Sequence, residues 1–321
     1  MTLVTGLCLA EGTFARQNRP CGVANLWLRD CDTEYRPKPS GRDGRYSLVM
    51  NQRQDVAKLF DELADTYDAV GVEFFQPIAS GLVNVLRPQP GERALDVGCG
   101  RGAVLFSLAA AVGGTGSVTG IDVSPLMVQA TTNDVVCAGL DVEVRVGDAM
   151  APDLPASSYD VVASSLVLFF LADPLAALRS WRELLVIGGR VGVSTFGTYD
   201  HRWAQLVDRV LQDSASRGSG DSRSTERHGP FGSDEGMEQL LSDAGFRSVR
   251  TVTSVVTPRF EDCDQWFSWS MSVGQRRLWQ AIPTSQFGEI KAKVLAAVDE
   301  CRDEDGRIGF DEGVRYTVGE R

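Results

Sequence analysis

From Arg93 to Phe196 the chain repeats one pattern, in which a short apolar run gives way to a turn and then to a stretch of helical period. The runs are "RALDV" (93–97), "SVTGID" (117–122), "VEVRVGD" (142–148), "YDVVASSLV" (159–167) and "RVGVSTF" (190–196). Helical stretches "GAVLFSLAAAV", "SPLMVQATTNDVVCAG" and "DPLAALRSWRELLVIGG" follow the first, second and fourth, the last expected to end at Gly188-Gly189. Strands that are apolar almost throughout must be covered on both faces, so the alternation demands a mostly parallel sheet between helical layers. Right-handed crossovers then place a ligand at the carboxyl ends of the strands, near the point where strand order reverses.

With 321 residues, 43% of them hydrophobic, there is ample material for one elaborated domain or two. The net charge of −11 argues against nucleic acid as a partner, because such binding depends on Lys and Arg neutralising phosphates. No apolar run approaches the roughly 18 to 20 residues that span a bilayer, so no membrane role is expected. The opening "MTLVTGLCLA" lacks the charged and sustained apolar regions of a signal peptide, and a cytoplasmic location is the expectation. Seven cysteines without a C-x-x-C pair read as scattered thiols, not as a zinc site or a disulfide framework.

Residues 1–49 carry seven Lys/Arg against five Asp/Glu, which leaves −13 on the remainder. Within them "YRPKPSGRDGRYS" (35–47) has the composition of a linker. This head reads as disordered, and it need not belong to the native fold. Beyond Met50 the character changes: Val56, Phe60, Leu63 and Tyr67 recur at helical spacing, so helices are expected across 50–90.

The first turn of the alternating region, "LDVGCGRG" (95–102), holds Gly98, Gly100 and Gly102 ahead of a helix. Missing side chains let a ligand approach the backbone, and the helix N-terminus presents free N–H groups to it. Gly98, Gly100 and Ala103 also satisfy a dinucleotide pattern, so the glycines alone leave a nicotinamide dinucleotide and S-adenosylmethionine (SAM) both open. Asp122 closes the second strand, twenty residues after Gly102, where a carboxylate accepts ribose hydroxyls of either ligand. Asp96 separates them. A carboxylate two residues before Gly98 repels a pyrophosphate and favours a cationic ligand by about 0.5 to 2 kcal/mol, depending on screening. "GDAM" (147–150) ends the third strand with Asp148 placed to accept from an adenine amine and with Ala149 and Met150 beside it. Each of these aspartates also fits a plainer role as a turn or cap residue.

Five stations in order, "LDVGCGRG", "GIDVS" (120–124), "GDA" (147–149), "YDVVASSLVLFF" (159–170) and "LLVIGGRVGVSTF" (184–196), resemble the class I SAM-dependent methyltransferase family of small-molecule type. The resemblance covers roughly residues 90–196, and "DELADTYDAVG" upstream resembles the helix that precedes the family core. It implies a Rossmann-like α/β fold: a seven-stranded, mostly parallel sheet with helices on both faces. Residues 91–257 and 306–321 would form the SAM-binding core, with the helices of 50–90 covering the SAM site. By the same likeness Gly98, Gly100 and the Cys99 backbone approach the methionine end, and Asp122 with Val123 the ribose. Asp148, Ala149 and Met150 hold the adenine, while Ser164, Ser165 and Leu166 line the gap toward a small-molecule methyl acceptor. Tyr67 closes over the methionine end, although a core tyrosine on an amphipathic helix fits the residue equally well.

Methyl transfer is a displacement at carbon that demands alignment of the nucleophile and exclusion of water. A hydroxyl acceptor usually requires a base as well. The candidates are His201, just past the fifth strand, and His228, in the Ser/Gly/Arg-rich loop 216–233; a surface or packing role fits each too. No Asp/Asn cluster suits a metal ion, so none is expected. The length of the 216–233 loop suits a mobile segment or a lid. A helix with Ser233 as N-cap follows, stopping at Gly245, then a sixth strand "RSVRTVTSVV". Here the chain departs from the family: residues 258–305 contain two helical stretches, "CDQWFSWSMSVGQRRLWQAI" and "FGEIKAKVLAAVDECR", before the final strand in "GFDEGVRYTVG" (309–319). This helical insertion is expected to cover the acceptor pocket. Trp266, Phe267, Trp269, Met271 and Trp279 form either its apolar wall or the insertion's own core.

Overall fold

The computed structural model describes residues 43–211 and 228–321. The expectation of a disordered head over 1–49 falls mostly on residues 1–42, and that of a mobile loop or lid mostly on 212–227; these stretches lie outside the described residues. Helix α1 (Asp43–Leu63) begins upstream of Met50, so the boundary expected there falls within a helix. Helix α2 (Phe75–Leu86) sets Ile78, Ala79, Leu82, Val83 and Leu86 on one buried face and ends at Arg87, which takes a left-handed conformation ahead of Pro88.

The strands are β1 (Arg93–Val97), β2 (Ser117–Asp122), β3 (Val142–Val146), β4 (Tyr159–Ser165), β5 (Leu185–Tyr199), β6 (Arg247–Val256), β7 (Arg259–Phe260), β8 (Ile308–Gly309) and β9 (Glu312–Glu320). Seven of them form one sheet in the order β3-β2-β1-β4-β5-β9-β6, with β9 antiparallel to both neighbours. This is the seven-stranded, mostly parallel Rossmann-like sheet that the sequence leads one to expect. The strand order reverses between β1 and β4, which opens a cleft at their carboxyl ends. Leu95, Val97, Ile121, Val161, Val162, Val191 and Val193 are buried along the sheet. Each contributes roughly 1.5 to 3 kcal/mol by leaving water.

Helices α3 (Ala103–Val112) and α4 (Pro125–Ala138) follow β1 and β2, and right-handed crossovers put them on one face. Helix α5 (Pro174–Leu184) carries the chain the other way, from β4 to β5, and so covers the opposite face, where α6 (Asp234–Asp243) packs against it. Helix starts are encoded locally: Ser124, Asp173 and Ser233 each accept a backbone N–H from the first turn of α4, α5 and α6. The end of α5 corrects the sequence reading. It stops at Leu184, not at Gly188-Gly189, because Leu185 already pairs with Tyr159 of β4 and the β-branched Val186-Ile187 continue as strand.

The insertion holds three helices, α7 (Cys263–Ser272), α8 (Arg276–Gln280) and α9 (Thr284–Asp299), where two stretches were expected. The first stretch breaks where Val273 turns extended ahead of Gly274. Strands β7 and β8 pair with each other and close the base of the insertion. Among the described residues no helix is long and apolar enough to cross a membrane.

Candidate functional site

The glycine turn after β1 is held by the second strand. The amides of Gly98 and Cys99 both donate to the Ile121 carbonyl, at 2.8 and 3.0 Å. Gly98 sits at φ +74°, and a Cβ there would meet Val167 Cγ2 at 2.4 Å, so packing as well as backbone conformation requires glycine. At Gly100 (φ +48°) a Cβ would meet nothing within 4 Å. The turn thus presents bare backbone to open space at this position. Helix α3 starts behind it without a side-chain cap.

Two buried carboxylates flank the turn. Asp122, at the end of β2, accepts the Gly100 N–H at 2.8 Å on Oδ2 and the Ser124 N–H at 2.9 Å on Oδ1. Burial raises its pKa, an effect partly opposed by the amides of Ser124, Gly100 and Val123. Asp96, in β1, is 1% exposed, and neither of its oxygens has a hydrogen-bond partner. Desolvation, followed by the charge of Asp122, pushes its pKa up to about 8; the Leu105 amide, which is near but makes no hydrogen bond of normal geometry to it, pulls more weakly the other way. Cys99 is also buried, and its thiol is raised well above the ordinary range by burial and then by Asp122 and Asp96. Such a thiol is no nucleophile, so Cys99 offers only its backbone.

The third strand end carries Asp148. Its Oδ1 accepts the Met150 N–H at 2.9 Å in a tight turn, and its Oδ2 pairs with Arg53 of α1 at 3.1 Å. Buried Trp181 donates to the Ala149 carbonyl at 2.7 Å, which fixes this turn against α5. At the end of β4, buried Ser164 donates to the Val97 carbonyl (2.8 Å), and the hydroxyls of Ser165 and Ser194 meet at 2.7 Å. Leu166 then turns at φ +59°, its N–H donating to the Ser194 carbonyl. This non-glycine residue in the left-handed region lies at the carboxyl edge, where strained backbone is characteristic of ligand sites.

Tyr67 stands over this group, half-buried, stacked on Phe75 with centroids 4.9 Å apart and edge-on to Phe60 at 6.1 Å. Its hydroxyl is held above the usual range by desolvation first, then by Asp68 and Asp122. Phe60 meets Phe170 at 5.5 Å, so half-buried aromatic rings from α1, the α1–α2 segment and the β4–α5 connection gather on one side.

The structure therefore brings together Asp96, Gly98, Cys99, Gly100, Asp122 and Val123 at adjoining strand ends, with Asp148, Ala149 and Met150 on the next strand. Ser164 and Leu166 lie across the switch point. His201 and His228 are both exposed, at the start of the helical turn His201–Trp203 and ahead of the 3-10 turn Gly229–Gly232 respectively. Of the proposed aromatic wall, Trp266, Trp269 and Trp279 are buried, and they pack on Trp203, Phe260, Phe267 and Phe310. They are the core of the insertion. Phe267 and Met271 are half-buried. Sequence reasoning missed Arg53, Asp61 and Arg101, three charged residues that join α1 to the site. Arg53 and Asp61 read as ordinary solvent-facing positions of an amphipathic helix, and nothing local reveals their partners.

A family profile described as "Methyltransferase domain" matches residues 95–193. The nocamycin O-methyltransferase of Saccharothrix syringae is 34% identical over 247 residues, covering 74% of this chain and 88% of the relative. The aklanonic acid methyltransferase DauC of Streptomyces sp. (strain C5) is 41% identical over 144 residues, 44% of this chain and 66% of the relative. The demethylmenaquinone methyltransferase of Listeria welshimeri is 25% identical over 223 residues, 64% of this chain and 93% of the relative. By this likeness, and by the strand ends just described, the chain belongs to the class I SAM-dependent methyltransferase family, of the type that methylates small molecules.

Proposed function

We propose that the ends of β1, β2 and β3 hold SAM and that the methyl group passes to an acidic oxygen of a largely aromatic small molecule. The observation that carries the cofactor reading is Asp96, a buried carboxylate without a partner on either oxygen. An unpartnered buried charge is costly, and a cation beside it removes that cost. SAM brings an ammonium and a sulfonium, whereas a dinucleotide brings a pyrophosphate. The residues present fit the group. Bare backbone at Gly98, Cys99 and Gly100 suits the methionine end. An ionised carboxylate has about four lone-pair positions, so Asp122 keeps roughly two for ribose hydroxyls after binding Gly100 and Ser124. Asp148, with Ala149 and Met150, suits the adenine; Val123 borders the ribose, Tyr67 closes over the methionine end, and Ser164 and Leu166 border the acceptor. When bound, SAM supplies a methyl group on a good leaving group, and the protein's task is to align the acceptor and keep water out.

Support for an acidic oxygen comes from two sides. One relative is named an O-methyltransferase and another acts on an acid, while both histidines of this chain are exposed. An acceptor already ionised near neutral pH, a carboxylate or an acidic phenol, needs no base. The half-buried rings of Phe60, Tyr67, Phe75 and Phe170 suit a flat aromatic partner, as found in specialised metabolism.

The test has two parts. Calorimetric titration should show SAM binding and no NAD binding; the reverse would end the cofactor reading. Incubation with SAM and a panel of aromatic carboxylic acids and phenols should release S-adenosylhomocysteine. With an active acceptor, His201→Ala and His228→Ala should each turn over within about twofold of the parent. A loss beyond tenfold in either would install a histidine base and remove the acidic-oxygen reading.

A further inference from the structure

Helix α1 is fastened to the cofactor-facing strand ends by three polar clasps. Arg101, inside the glycine turn, donates to the Ala64 carbonyl just past α1 at 2.7 Å and pairs with Asp134 of α4 at 2.7 Å. Asp61 accepts from the Ser124 hydroxyl at 2.6 Å and from the Leu126 N–H at 3.1 Å, at the start of α4. Arg53 Nη1 pairs with Asp148 Oδ2 at 3.1 Å. Positions 53, 60, 61 and 64 recur at helical spacing and share one face. Beneath them Leu59, Leu63 and Ala64 pack with Met127 in a small cluster separate from the main core. An element docked by a small apolar patch and a few polar contacts opens at lower cost than one built into the core.

The three clasps differ in what they occupy. Arg101 and Asp61 engage a carbonyl, the Asp134 carboxylate, a hydroxyl and an amide, none of which the cofactor reading requires. Arg53 engages Asp148, the carboxylate that in the function proposed above accepts the adenine amine, and the inference rests on that reading. The Met150 amide binds the other oxygen of Asp148, so the adenine amine would share this carboxylate with two partners. We infer that Arg53 is an autoinhibitory latch: it holds the carboxylate that the adenine would use. The guanidinium competes with the adenine amine for Asp148, so the cofactor binds more tightly when Arg53 lets go, while the clasps at Asp61 and Arg101 keep the C-terminal end of α1 docked. The pair is about one-third exposed on the Arg53 side and one-quarter on the Asp148 side, so water and salt both reach it.

S-adenosylhomocysteine is the suitable probe, because it has no net charge and salt then acts mainly on the latch. Arg53→Met should tighten its binding by about two- to fivefold, the range available to a half-exposed ion pair, and should speed association. Raising salt from low to physiological strength should speed association to the parent protein and leave Arg53→Met unaffected. Hydrogen exchange over residues 53–60 should rise in ligand-free Arg53→Met, with α2 unchanged. Arg53→Gln provides the same neutralisation should Arg53→Met prove poorly folded by circular dichroism. Unchanged or weakened binding in the neutral variants overturns the latch and makes Arg53 a bystander or a clamp on bound cofactor. Asp148→Asn in the Arg53→Met background separates the two ideas. Undiminished affinity there removes the adenine from Asp148, whereas weakened affinity without a gain from Arg53→Met alone removes only the latch.

Discussion

The Asp122 carboxylate accepts the Gly100 amide at 2.8 Å, and by this bond the end of β2 fixes the shape of the glycine turn that follows β1. The same side chain accepts the Ser124 amide at 2.9 Å, which anchors the start of α4. A structural clasp and a ribose acceptor are therefore compatible roles for one residue: the bonds to the protein shape the turn and orient the carboxylate. Asp122→Ala should lower SAM affinity by roughly 1 to 3 kcal/mol, the range for hydrogen bonds to a charged group, and should also lower the melting temperature. Asp122→Asn keeps the side chain's size and one acceptor oxygen, so it should recover stability more fully than affinity. Calorimetry alongside thermal denaturation checks both; a drop in stability with unchanged affinity would leave Asp122 as a clasp only.

Gly98 and Gly100 look alike in sequence and differ in what surrounds them. Gly98→Ala drives a methyl group into Val167 at a φ of +74°, and should cost the protein several kcal/mol or abolish folding. Gly100→Ala places its methyl in open space at a φ of +48°, for a backbone cost of about 1 to 2 kcal/mol. It should fold, yet bind SAM at least tenfold more weakly, because the new methyl stands where the backbone meets the ligand. Melting curves should place Gly98→Ala well below Gly100→Ala, and SAM titration should show that the folded Gly100→Ala is limited by binding.

The sheet was legible because burial on both faces makes each strand apolar, and because the turns between them need glycine or a capping side chain. β1, β2 and β6 fall at the residues expected, and Ser233 caps its helix as expected. The α5–β5 boundary was not legible, since Leu185 to Ile187 fit a helix as well as a strand until Tyr159 is beside them. At the site the strand-end aspartates were legible as residues, but not the buried isolation of Asp96 or the capture of Asp148 by Arg53. Those depend on residues far apart in the chain. The tryptophans of the insertion show the same limit: composition announces an aromatic cluster, and only packing reveals that Trp266 lies against Trp203 and Trp269 against Phe310 within a core.

Phe310, which is buried, tests that packing. Its ring lies 4.8 Å from Trp203, 5.9 Å from Trp269 and 6.3 Å from Phe260, joining the insertion to the end of β5. Phe310→Ala should leave a cavity and cost about 3 to 5 kcal/mol, read as a lower urea midpoint. Cofactor affinity should stay within about twofold, because Phe310 reaches the rings beside the site only indirectly, through Phe74 at 6.4 Å. A large loss of SAM affinity at full folding would show that the insertion supports the cofactor directly.

Asp96 makes the ligand-free protein sensitive to pH in a particular direction. Its pKa is pushed up to about 8 in the folded chain, whereas an unfolded aspartate titrates near 3.8. Between these values the folded state holds a proton that the unfolded state has lost, so stability falls as pH rises from about 4 to about 8. Asp122 is shifted in the same direction and adds to the slope. A cationic ligand beside Asp96 favours its charged form, so SAM binding should release protons and tighten as pH rises through this window. Asp96→Asn should flatten the dependence of melting temperature on pH, leaving the part due to Asp122, and should weaken SAM while removing the proton release. The measurement is calorimetric titration at pH 7 in two buffers of different ionisation enthalpy, since proton release makes the observed heat depend on the buffer. Equal heats in both buffers for the parent protein would mean that Asp96 is already ionised before the ligand arrives.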